Sequence, residues 1–149
     1  MTSKIYIGSD HAGFNLKNKL ILELKNNPNK FSKTIQLIDE GTYSKDSCDY
    51  PFYAKEVANK VKTTNSKGIL ICGTGIGMSI VANKVKGIRA AHVCDELQAK
   101  LSKEHNNSNI LCISGKNSIN KSIKIINSWL DAKTSNLQRH KRRRNMIEF

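Results

Sequence analysis

The sequence predicts a doubly wound α/β fold: a five-stranded open parallel sheet covered by helices on both faces. Three observations predict it. Short β-branched runs alternate along the chain with longer segments whose apolar residues recur at helical spacing. The runs are dense in apolar residues and bounded by glycine, as in Ile69-Leu70-Ile71 and Ile110-Leu111-Cys112-Ile113, which suits strands buried on both faces. The chain has 149 residues, enough for one domain that buries a core without disulfides or a structural metal.

Strands are expected over 4–9, 34–39, 68–72, 88–93 and 109–114. Between the first two, Leu16, Leu20, Ile21 and Leu24 form one helical face. Tyr53, Val57, Ala58 and Val61 form a second, and Ile80, Val81 and Val85 a third. Helices also fit 96–105 and 119–130, where Ile119, Ile123, Ile126 and Leu130 face the sheet. The common doubly wound strand order, 2-1-3-4-5, places strands one and three side by side at the switch point. This isomorphous alternation occupies 1–132, and 133–149 is a polar, basic tail with Leu137, Met146, Ile147 and Phe149 as its apolar residues. Such a tail is either disordered or a helix that docks on a partner subunit.

The net charge is +13, which first points to a polyanion. Six basic residues in 133–149 oppose only Glu148, so the tail carries +5 and the remaining +8 is scattered Lys among many Asn. Few aromatic residues stand near those lysines for bases to stack on, so the body reads as a solvated surface. The run Arg139-His140-Lys141-Arg142-Arg143 stays open to a nucleic-acid reading on charge alone. No run approaches the roughly 18 apolar residues of a membrane span. Met1-Thr2-Ser3-Lys4 leads straight into a strand with no signal-peptide stretch. Cys48, Cys72, Cys94 and Cys112 stand far outside C-x-x-C spacing, which fits a reducing, cytoplasmic setting, with Cys94 and Cys112 as buried hydrophobes.

Four segments carry chemistry. Gly8-Ser9-Asp10-His11-Ala12-Gly13 follows the first strand, where open α/β sheets bind ligands; an Asp there also serves as a helix N-cap. Cys72-Gly73-Thr74-Gly75-Ile76-Gly77 ends the most apolar strand and opens a helix. Its glycines let consecutive N–H groups converge on an anion. The spacing is G-x-G-x-G, without the dinucleotide spacing, a ribose-binding acid or a Walker lysine. A thiol at a helix N-terminus favours the thiolate, so Cys72 is a base or nucleophile beside its oxyanion stabiliser. His105-Asn106 closes the fourth helix, where a histidine is also a simple dipole contact. Arg139 and Arg143, four apart, share a helix face suited to a phosphate. Together the four support proton transfer beside the carbonyl of a small phosphorylated substrate.

At these residues the chain resembles the ribose-5-phosphate isomerase B family, which includes the galactose-6-phosphate isomerase subunits. The resemblance rests on 8–14, Asp49-Tyr50-Pro51, 68–77, Gly87-Ile88-Arg89-Ala90-Ala91, His105-Asn106, and Arg139-His140 with Arg143. It implies a Rossmann-like sheet and a homodimer or dimer of dimers in which one subunit's tail completes the other's site. It implies interconversion of ribose 5-phosphate and ribulose 5-phosphate in the non-oxidative pentose phosphate pathway, with no metal or organic cofactor, no nucleic acid and no membrane. Cys72 looks like the base that moves a proton between C1 and C2, with Gly73, Thr74, Gly75, Ile76 and Gly77 holding the enediolate oxygen. His105 looks like the acid/base that opens the ring, and Asp10, Tyr50 and Asn106 position hydroxyls. His11, Arg139, His140 and Arg143 look like the phosphate end. A six-carbon phosphate such as allose or galactose 6-phosphate is the alternative substrate. Arg142, Arg144 and the loop 42–48 match no role.

Overall fold

The computed structural model describes residues 1–149. Five strands form one all-parallel sheet: β1 (Ser3–Ser9), β2 (Ile35–Asp39), β3 (Lys67–Cys72), β4 (Ala90–His92) and β5 (Ile110–Ser114). Between and after them run α1 (Phe14–Asn26), α2 (Tyr50–Thr64), α3 (Ile76–Ala82), α4 (Glu96–Asn106), α5 (Ile119–Asp131) and α6 (Gln138–Asn145). No helix is long and apolar enough to cross a membrane.

Period-two alternation within buried strands divides the core in two. Ile69 and Ile71 of β3 face Leu16 and Leu20 of α1, Ala99 of α4 and Ile123, Ile126 and Trp129 of α5. Leu70 and Cys72 face the other way, with Val57 and Val61 of α2, Met78 and Ala82 of α3, and Cys112 of β5. Trp129 meets its polar requirement by donating its indole N–H to Ser108 Oγ at 2.8 Å.

The strand order is β2-β1-β3-β5-β4, which corrects the expected 2-1-3-4-5 at one place. Ile110, Leu111, Cys112 and Ile113 are all fully buried, so β5 needs a neighbour on each side to pair its backbone. The strand β4 is three residues long and half-buried, which suits an edge. The switch point between β1 and β3 is unchanged.

Two smaller expectations also change. The helix α3 stops at Ala82, leaving Val85 in the following turn and Ile80 exposed; Met78 and Ala82 supply its buried face. Cys94 is exposed, because β4 ends at His92 and the Cys94 N–H turns to Gln98 Oε1 at 2.8 Å, beside the start of α4. The tail forms the helix α6, and in the single chain it packs on α4.

Candidate active site

The carboxyl ends of β1 and β3 bring the first two segments together. Ser9 pairs with Ile71 in register, and the Asp10 N–H donates to the Ile71 carbonyl at 3.2 Å. The buried Asp10 carboxylate accepts the N–H groups of Ala12 and Gly13 at 2.9 and 3.0 Å through Oδ1. It thereby braces the turn that enters α1, a local role close to the N-cap reading. His11 is exposed, and its Nδ1 accepts the Cys48 N–H at 3.2 Å, which puts the proton of a neutral imidazole on Nε2.

Cys72 closes β3 with only 5 % of its surface exposed. Its carbonyl accepts the Gly115 N–H at 2.7 Å, and its Sγ accepts the Gly75 N–H at 3.1 Å. Gly75 holds φ at 84°, the left-handed region that folds the loop back over the sulfur. The loop is pinned from below by His92, whose Nε2 lies 2.9 Å from the Thr74 carbonyl, and by Ser114, whose Oγ donates to the Gly73 carbonyl at 2.7 Å. Thr74 Oγ1 accepts the Ile76 N–H at 3.2 Å. The N–H groups of Gly73, Thr74 and Gly77 make no hydrogen bond within the chain. Tyr50, at the start of α2, lays its ring on Gly77, where a Cβ would come within 2.8 Å of it. Burial and the neighbouring Cys72 push the fully buried Cys112 thiol far above its usual range.

His105, Asn106, Arg139, His140 and Arg143 gather elsewhere. The helix α4 ends beside the amino ends of β3 and β5, where Gly68 pairs with Ile110. Four residue steps along β3 lead from Gly68 to Cys72, about 13 Å at the usual rise. Within one chain, therefore, His105 does not meet Cys72. The rings of His105 and His140 pack against each other instead, tilted by 38° with centroids 4.2 Å apart. Burial, then the cations of His105, Arg139, Arg143 and Arg144, hold His140 below its ordinary range, and its buried Nδ1 has no partner. Arg144, which matched no role in the sequence, donates to the carbonyls of His105 at 3.1 Å and Ser135 at 2.9 Å and so fastens α6 to α4. Arg139, Arg142 and Arg143 stand exposed.

Two residues at the carboxyl edge escaped the sequence reading. His92 supports the cradle as described, and Lys116 follows Gly115, which lies directly against the Ala12 carbonyl. The Lys116 N–H donates at 3.1 Å to Ser114 Oγ, the hydroxyl that holds the Gly73 carbonyl. The available signal was positional: His92 ends β4 and Lys116 follows the end of β5, at the same edge as Cys72.

A parallel α/β domain with a thiol and an N–H cradle at its switch point is built for proton transfer on a small anionic ligand. Residues 5–147 match the Ribose/Galactose Isomerase family, and the chain belongs to that family. It is 42% identical to the probable ribose-5-phosphate isomerase B of Mycoplasma genitalium, over 96% of this chain and 92% of the relative. It is 40% identical to the ribose-5-phosphate isomerase B of Escherichia coli, over 87% of this chain and 84% of the relative. Among solved structures, the Mycoplasma genitalium enzyme with bound ribulose-5-phosphate superposes with a TM-score of 0.85 at 40% identity, covering 97% of this chain and 93% of that one.

Proposed function

We propose that the chain is a ribose-5-phosphate isomerase that interconverts ribose 5-phosphate and ribulose 5-phosphate through an enediolate, with Cys72 as the base. The observation that carries this reading is the buried Cys72 Sγ under the Gly75 N–H at 3.1 Å, beside three loop N–H groups without a partner. The thiolate takes the C2 proton of the open-chain aldose, and the C–H electron pair forms the C1–C2 double bond. The carbonyl electrons move onto O1, where N–H groups of the Gly73–Gly77 loop hold the charge. Return of the proton to C1 uses the C1–C2 double-bond pair, the C2–O2 carbonyl forms, and the O2 proton passes to O1, which gives the ketose. Thr74, Asp10 and Tyr50 border this cradle and suit hydroxyl contacts.

Ring opening and phosphate binding require His105, Asn106, Arg139, His140 and Arg143, which lie at the far edge of the same chain. A second copy, docked so that its α4 and α6 face the first copy's Cys72 edge, brings both sets together. In that arrangement His105 moves the proton between the anomeric hydroxyl and the ring oxygen, Asn106 holds a neighbouring hydroxyl, and His11, Arg139, His140 and Arg143 surround the phosphate. The exposed Arg139 and Arg143 are free for that task.

A spectrophotometric isomerisation assay of the purified protein tests the substrate, with ribose, allose and galactose phosphates in parallel. Turnover of ribose 5-phosphate should lead in kcat/KM. A lead by a hexose phosphate would reassign the substrate, and no turnover of any sugar phosphate would overturn the isomerase reading.

A further inference from the structure

The proposed catalysis leaves one buried charge unused. Lys17 of α1 is fully buried, and its Nζ donates to Asp39 Oδ1 at 2.6 Å. The rings of Phe14 and Tyr43 flank the ammonium, with centroids 5.6 and 5.5 Å away. Asp39 is only half-buried, and an ion pair that reaches solvent on one side adds little net stability, so stability alone does not account for a lysine among the core residues Leu16 and Leu20.

The partners of Asp39 lead towards the ligand edge. The same Oδ1 accepts the Gly41 N–H at 2.9 Å. The Gly41 carbonyl accepts the Ser9 N–H at 2.7 Å, and the Thr42 N–H returns to the Ser9 carbonyl at 2.8 Å. Ser9 is the residue before Asp10. Tyr43 donates its hydroxyl to the Asp39 carbonyl at 3.1 Å, at the root of the loop that reaches Cys48 and the His11 ring. The Lys17 backbone N–H donates to the Gly13 carbonyl at 2.9 Å, closing the path from the other side.

We infer that Lys17 is a positioning residue: through Asp39 and the Gly41–Cys48 loop it sets Asp10 and His11 for the sugar phosphate, without touching it. The inference rests on the reading of Asp10 and His11 as substrate contacts. Cys72 is held by Gly75 and Gly115, outside this path.

The test is Lys17→Met beside the neutral double variant Lys17→Met/Asp39→Leu, which removes both charges at similar volume. The double variant should keep its melting temperature and the alkylation rate of Cys72, followed on its own peptide by mass spectrometry. Its KM for ribose 5-phosphate should rise ~10-fold or more with kcat within about threefold, the signature of lost uniform binding. A double variant with parental KM overturns the inference. So does one that fails to fold or alkylates abnormally at Cys72, since the pair then serves the fold as a whole. Asp10→Ala and His11→Ala separate the two ideas: parental KM in both removes the substrate contacts themselves, whatever Lys17 does.

Discussion

The two ends of the sheet are built differently. At the carboxyl end, Cys72 and Asp10 are buried and, with the glycine loop, are held by backbone hydrogen bonds between neighbouring strands and loops, as at Asp10 to Ile71 and Gly115 to Cys72. At the amino end, His105 is half-buried and Arg139 and Arg143 project from an eight-residue helix fastened by Arg144 and a histidine pair. The first region is organised by one chain alone. The second presents charge outward, and the desolvation and opposing partner that would give that charge a purpose are missing from its own chain. On the proposed reading, reaction chemistry sits where the backbone is fixed, and anion capture sits where a surface can still dock.

The largest effect should come from breaking the fixed end. Cys72→Ala removes the proposed base and leaves the cradle, so kcat should fall by ~10²–10⁴-fold while a phosphate-sugar inhibitor binds nearly as before. Near-normal turnover would remove Cys72 from the proton transfer. The link between the ends is tested by mixing Cys72→Ala with His105→Asn, each nearly inactive by itself. If each site draws on two chains, random exchange yields hybrids with one intact site of two, and about a quarter of the parental rate should return. Additive residual rates would place both residues' work within one chain. Truncation after Asp131 removes α6, and loss of the phosphate contacts proposed for Arg139 and Arg143 should raise KM by roughly 10–100-fold. Retained affinity would return the tail to plain basic surface.

How far the sequence carried differs between these same ends. The βαβ periodicity and the glycine loop are local patterns, so the strands, the switch point and the Asp10, His11 and Cys72 edge were legible from residue order alone. The place of β5 was written in its continuous apolar run, yet it is set by which strand must be paired on both sides, a competition between β4 and β5 that neither segment displays by itself. The separation of His105 from Cys72 was less legible still, because both lie at ends of regular elements and only strand direction says which end. Lys17 left no signal: a lysine at a helical position beside Leu16 reads as solvent-facing, and its partner Asp39 lies 22 residues away.

The smallest expected effect concerns the docked tail and pH. Burial and the surrounding cations hold His140 below its ordinary 6.5, so the docked state favours the neutral imidazole. The released tail binds a proton more readily than the docked one, so the stabilisation of docking is fully present above about pH 6.5 and is lost as the pH falls through the lower, docked value. Protection of the α6 amides against hydrogen exchange, corrected for the intrinsic rate, should therefore drop several-fold between pH 7.5 and 5.5. His140→Phe keeps an aromatic ring against His105 and removes this titration, so its protection should change less over the same range. An equal change in both proteins would assign the pH response to another group and leave the histidine pair as packing alone.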